Sequence, residues 1–300
     1  MKTIDSQTKM TSIFSGDENG EAGKSFRAKF DAEPFLFRHR LSEEPRFELE
    51  RIRALARRLP GKISFSGDLD VRNGFRQPGG RGKSFEEALD GLEKGQSWII
   101  LKKIHRDAEY ASLLRDCLSE VEALTHRRLE PLIESRTMSL ILSSPGQVTP
   151  YHIDADCNFL FQIRGCKTFY VFNGRDRDIL PEKEEEDFWA GELNAAQYRE
   201  ENQAKAWSFA MKPGNGVHVP VIFPHWVKND DNLSVSLSIN FRFLGRLRGD
   251  VYRTNHLMRK LGLRPRPVGE SRLADSLKMM IMSPPRSGIQ MVRRLLQGRA

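Results

Sequence analysis

Two polar residues one position apart suggest chemistry. In Thr149-Pro150-Tyr151-His152-Ile153-Asp154, an imidazole and a carboxylate flank a single apolar side chain. On a β-strand His152 and Asp154 would project from one face, because successive side chains alternate. A histidine returning from a later strand would complete two imidazoles and one carboxylate on one side of a metal ion. That donor set leaves neighbouring coordination positions open, as non-haem Fe(II) requires for a co-substrate and O2. Two histidines are placed to close it, His218 in Val217-His218-Val219-Pro220 and His225 in Pro224-His225-Trp226. The plainer account of a lone His-x-Asp is a strand with two polar residues, so its surroundings must decide.

The elements that would position these residues follow from periodicity. From Thr137 onward the pattern is that of strands: Met138 to Leu142, the His152 stretch, Asn158 to Ile163, Lys167 to Phe172, Trp207 to Met211 and Val217 to Phe223. Leu233 to Phe243 alternates most cleanly, with apolar residues at odd positions and Ser234, Ser236, Ser238, Asn240 and Arg242 at even ones. Helical spacing precedes this region at Phe47–Leu59, from Ser84 (with a Ser84/Glu87 capping box) and at Asp107–Leu124. It returns after the last strand at Tyr252–Leu261, Leu273–Met282 and Gly288–Leu296. Trp98–Leu101 reads as a buried strand and Pro34–Phe37 as an apolar cluster docked on the main body. About eight short strands with turn signals, decorated by helices, predict a mainly β jelly-roll barrel with N- and C-terminal α-helices. Gly82-Lys83-Ser84 ends like a phosphate-binding loop, but Gln77 stands where the first glycine is needed, so a loop without that role is expected. The acidic run from Glu182 to Asp187 reads as a solvated loop with a short helix, able to cover a pocket.

The motifs and their order resemble the JmjC/cupin-like 2-oxoglutarate oxygenases, most nearly the factor-inhibiting-HIF type of protein hydroxylase. The resemblance rests on His152 and Asp154, Asn158 four residues later, and Gly165-Cys166-Lys167 opening an aromatic strand. It continues with Pro213-Gly214, the spacing from Pro220 to His225, and the strand through Asn240 and Phe241. It implies a double-stranded β-helix and Fe(II) held by His152, Asp154 and His225, with His218 packed nearby. It also implies 2-oxoglutarate as co-substrate beside O2, with release of succinate and CO2. Lys167 would pair with the distal carboxylate of 2-oxoglutarate, Thr149 would support it, and Asn158 and Asn240 would lie close by. A lysine opening a buried aromatic strand is itself costly unless an anion meets it. Arg242 is the competing clamp, since related enzymes use an arginine on the final strand and its fork suits carboxylates. The implied substrate is a peptide or protein side chain, with a small metabolite as the alternative. A non-catalytic cupin-like binding module and a non-oxidative metal-dependent cupin are the other two readings.

Composition bounds the rest. Three hundred residues, 39% hydrophobic, suffice for one catalytic domain with appended helices. The expected division is a flexible arm over 1–25, a helical and mixed part over 26–136, the catalytic barrel over 137–245 and basic helices over 246–300. No run approaches the ~18 apolar residues of a membrane span, and the N-terminus lacks a secretory apolar stretch. Cys117, Cys157 and Cys166 show neither a disulfide framework nor zinc spacing, which fits a reducing cytoplasm. Of the formal +8, the excess lies in the tail, where fourteen Lys and Arg from Arg242 onward face three acidic residues. A solvated helical surface is the simpler reading of that tail. Nucleic acid is disfavoured without a binding motif, though the charge alone leaves room for a polyanion. Its Met, Ile, Val and Leu residues must be covered, by the barrel or, as the resemblance implies, by a second copy in a homodimer.

Overall fold

Apolar residues at every second position build two antiparallel sheets, and helices cover one of them. In the computed structural model, residues 12–15, 20–59, 63–66, 71–72, 84–93, 98–243 and 249–282 are described. In chain order the strands are β1 (Phe14–Ser15), β2 (Phe35–His39), β3 (Ile63–Ser66), β4 (Trp98–Leu101), β5 (Ile133–Ser143) and β6 (Val148–His152). They continue as β7 (Cys157–Arg164), β8 (Lys167–Val171), β9 (Trp207–Met211), β10 (Asn215–Val219), β11 (His225–Asn229) and β12 (Ser234–Phe243). The helices are α1 (Glu21–Lys29), α2 (Leu49–Arg58), α3 (Phe85–Glu93), α4 (Ala108–Thr125), α5 (Glu182–Trp189), α6 (Gly249–Lys260) and α7 (Arg272–Met282). The larger sheet runs β1-β2-β10-β7-β12-β5-β4-β3 and the smaller β6-β11-β8-β9. Leu160 and Val217 of the larger sheet share a buried cluster with Phe169, Val171, Met211 and Val227 of the smaller. This is the interior of a jelly-roll, as the alternation predicts.

The two faces of β12 show how the sheet divides its work. Val235, Leu237, Ile239 and Phe241 join the core formed with α2, α3 and α4. The serines of the opposite face are buried too, because that face looks into the barrel rather than into water. There the Gln162 amide donates to Ser234 Oγ (3.0 Å), Ser236 Oγ donates to Gln162 Oε1 (2.8 Å), and Asn158 donates to Ser238 Oγ (2.8 Å). Buried hydroxyls are tolerated because each has such a partner.

The helices begin where their caps direct. Glu87 N–H donates to Ser84 Oγ (3.2 Å) while Glu87 Oε2 accepts from Ser84 N–H (2.7 Å), the reciprocal capping box. Asp107 caps α4, whose Tyr110, Leu113, Leu114, Cys117, Leu118 and Val121 turn inward. Each large apolar side chain buried this way contributes about 1.5–3 kcal/mol.

Several segments differ from their sequence expectations. The apolar cluster after Pro34 is β2, paired with β10. β11 was not evident as a strand, and β10 stops at Val219, before a turn. The expected N-terminal arm is tied down in its described part: Glu120 accepts from the N–H groups of Ile13 and Phe14 and from Ser12 Oγ. The short helix expected in the acidic run is α5, but it is not solvated throughout, since Glu185 and Glu186 are buried. Glu185 meets Arg177 (2.8 Å), Glu186 meets Arg259 of α6 (2.7 Å), and Asp187 meets His256 of α6 (2.9 Å). The Gln77–Lys83 stretch and the Gly288–Leu296 helix lie outside the described residues.

Candidate metal centre

His152 ends β6 and His225 begins β11, and the two are paired across the smaller sheet. Their ring centroids are 4.1 Å apart. His152 Nδ1 faces the Pro150 carbonyl oxygen at 2.7 Å, and His225 Nδ1 faces that of Phe223 at 2.9 Å. A ring nitrogen set against a carbonyl carries the proton, so both Nε2 atoms keep their lone pairs. Those atoms lie 3.8 Å and 3.7 Å from Asp154 Oδ2. Burial, with the His152 imidazole beside it, holds His225 well below its ordinary pKa and thus neutral. The donor atoms of His152, Asp154 and His225 all lie within 4.8 Å of one another. Two neutral nitrogens and one carboxylate converging on a single point fit a divalent transition-metal ion.

The route to this geometry is not strand alternation. β6 ends at His152, and Asp154 sits in the turn toward β7. The turn is held by the segment before His225, where Ile222 N–H donates to the Asp154 carbonyl oxygen (3.0 Å). Ile222 has φ +63°, a region that a β-branched residue enters only when its surroundings force it. Gly174 makes room for this turn: a Cβ there would lie 2.1 Å from the Ile222 carbonyl oxygen.

His218 lies elsewhere. It is fully buried and packs against the rings of Phe30, Phe35 and Phe159. Its Nδ1 bonds to the Asn158 carbonyl (3.1 Å) and its Nε2 accepts from Asp31 N–H (3.0 Å). Burial lowers its pKa to about 3. With both ring nitrogens used, it serves the core. Cys157 is buried beside it, and Tyr151 packs outward against Phe172 and Tyr198.

Lys167, Phe169 and Val171 alternate along one face of β8, opposite Asn229, Val227 and His225 of β11, with Thr149 beyond Val227. Lys167 and His225 therefore share the barrel's inner face, four residues or roughly 13 Å apart in level. Lys167 is buried, and desolvation alone lowers its pKa to about 7. Among the described residues no carboxylate pairs with it. The Asn158 amide donates to Asn240 Oδ1 (2.7 Å), so these two asparagines form one polar pair. Arg242 is differently placed, since its Nε meets Asp156 Oδ1 at 2.7 Å. Sequence reading passed over Asp156, Ile222 and Gly174. Only Asp156 carried a visible signal, as the second carboxylate after His152.

A cavity of about 450 Å³ lies beside the turn that precedes His225, and none of the three candidate ligands lines it. Val221, Ile222 and Phe223 form one wall, and Arg175, Trp189 and Tyr252 stand around it.

Residues 44–244 match the family model described as a cupin-like domain. No curated protein matches the chain. Similar solved structures include the X-ray structure of E. coli ycfD, with 15% identity over 92% of this chain and 70% of that one, TM-score 0.54. Another is that of YcfD, a ribosomal oxygenase from Escherichia coli, in complex with cobalt and 2-oxoglutarate, with 16% identity over 91% and 68% and a TM-score of 0.52. At such identity the likeness is one of fold.

Proposed function

Since the chain belongs to the cupin-like domain family, we propose that it is an Fe(II)- and 2-oxoglutarate-dependent oxygenase that hydroxylates a protein side chain. One juxtaposition carries this reading. A His152, Asp154 and His225 donor set and a buried lysine with no carboxylate partner among the described residues share the inner face of one barrel. When bound, the metal would activate O2, the oxidant for C–H hydroxylation, while the 2-oxo acid would supply two of the electrons and leave as succinate and CO2. The chain's own part is positioning. Lys167 meets the distal carboxylate, Thr149 adds a hydroxyl from β6 on the far side of β11, and the Asn158–Asn240 pair offers amide groups toward the same interior. Phe169, Val171 and Val227 keep water out of the space between.

The fold shared with a protein named a ribosomal oxygenase supports a protein substrate over a small metabolite. The 450 Å³ cavity lined by Val221, Ile222 and Phe223 would receive a side chain flanking the oxidised one. The test is Fe(II)-dependent succinate release from 2-oxoglutarate, with peptide and metabolite pools compared as substrates. Metal binding without 2-oxoglutarate binding would favour a non-oxidative cupin, and binding of neither a non-catalytic module.

No helix among the described residues is long and apolar enough to cross a membrane. The three free cysteines suit a reducing cytoplasm. Leu257, Leu261, Leu273, Leu277, Met280 and Ile281 of the C-terminal region are exposed, and a second copy of the chain is the cover we propose for them.

A further inference from the structure

The turn between β6 and β7 carries two carboxylates, Asp154 and Asp156, separated by Ala155. Only Asp154 joins the histidines. We propose that Arg242 is a positioning residue that keeps Asp156 off the metal, so that the centre has one carboxylate and not two. The inference rests on reading the triad as a metal centre.

Register puts the pair where this matters. Asn158 of β7 lies opposite Asn240 of β12, and Cys157 opposite Phe241. One step further toward the ligand turn, Asp156 therefore comes opposite Arg242, on the inner face that Asn158 and Asn240 share. There Arg242 Nε and Asp156 Oδ1 lie 2.7 Å apart, and the carboxylate is largely covered, its side chain 23% exposed. Asp156 is also near enough to Asp154 for the charge of one to act on the other. A divalent ion bound to Asp154 attracts any second carboxylate on so short a tether. An extra oxygen donor would occupy a position that the co-substrate must take, and would change a site suited to Fe(II) into one better suited to Mn(II). Guanidinium is the fitting restraint, because it stays charged at every working pH and binds carboxylate directionally. Its engagement by Asp156 also removes Arg242 from the task of clamping 2-oxoglutarate and leaves that to Lys167.

The test uses the full chain with Co(II) as probe, which reports its coordination through visible absorption. Arg242→Gln should show an altered Co(II) spectrum before 2-oxoglutarate is added, and at least tenfold weaker 2-oxoglutarate binding to the Co(II)-loaded protein. Asp156→Asn, and the double variant Arg242→Gln/Asp156→Asn, should keep the wild-type spectrum and affinity, because no second carboxylate remains to intrude. A double variant as impaired as Arg242→Gln overturns the proposal and makes Arg242 a direct contact of the co-substrate. An Arg242→Gln protein identical to wild type overturns it as well. Should Arg242→Gln not fold, Arg242→Lys takes its place in both comparisons, because an ammonium lacks the directional grip of the guanidinium fork. Wild-type protein that binds no Co(II) would instead sink the metal-centre reading itself, a separate outcome.

Discussion

Lys167 stands where a lysine is costly, and that cost makes its role measurable. Burial brings its pKa to about 7, against roughly 10.4 for an unfolded chain. Between these values the unfolded chain binds more protons, so the stability of the free protein should rise with pH from about 7 to about 10. Lys167→Met should remove that rise, which urea titrations at several pH values would show. Binding a dianion requires the ammonium. The KM for 2-oxoglutarate should therefore be flat below pH 7 and climb up to about tenfold per unit above it. Lys167→Ala should raise that KM roughly 30- to 4000-fold, the range for truncating a partly desolvated charge pair at about 2–5 kcal/mol, while Co(II) affinity stays unchanged. The two candidate histidines separate in the same way. His225→Ala should abolish Co(II) binding with little loss of fold. His218→Ala should keep the metal but cost about 2–4 kcal/mol in thermal or urea unfolding, because it empties a site packed among three phenylalanine rings.

The turn from Pro220 to Pro224 is a small element with a large duty, since it ties the Asp154 turn to the start of β11. Ile222→Gly and Ile222→Ala delete nearly the same side chain, yet they should differ. Glycine adopts φ +63° freely, whereas alanine carries a penalty of about 1–2 kcal/mol, so the glycine variant should melt at the higher temperature. Gly174→Ala should displace the Ile222 carbonyl and lower metal affinity without touching a ligand. None of this was legible in the sequence, because a left-handed isoleucine is imposed by tertiary contacts rather than by propensity. What was legible depended on period and spacing. The alternation of β12, the inward stripe of α4 and the Ser84–Glu87 box need only local information. The motif order singled out His152, Asp154 and His225 even though Asp154 reached the centre from a turn rather than a strand. The acidic run misled because His256 and Arg259 lie beyond the barrel in sequence, and nothing local tells whether a nearby arginine such as Arg177 meets Glu185 or water.

At the scale of the molecule, α5 joins the barrel to the C-terminal helices, and α7 is held to α6 by Thr254 Oγ1 on the Lys278 carbonyl (3.0 Å). This anchoring leaves Leu273, Leu277, Met280 and Ile281 exposed along one side of α7, and Leu277→Glu with Ile281→Glu should convert a dimer to a monomer in light scattering while metal binding persists. A full-length protein already monomeric at micromolar concentration would end that idea. The strand order has another effect, on the path by which the molecule is made. β12 lies between β7 and β5, with Ser234 beside Ser143 and Ser238 beside Leu160. The larger sheet therefore stays open along two long edges until residues far downstream arrive, and such non-local closure is slow and exposed to aggregation. His225 is itself delivered late, so a nascent chain holding only His152 and Asp154 has no complete cradle. On the proposed reading, the metal can be held only after β11 has paired with β6, at the closing of the barrel.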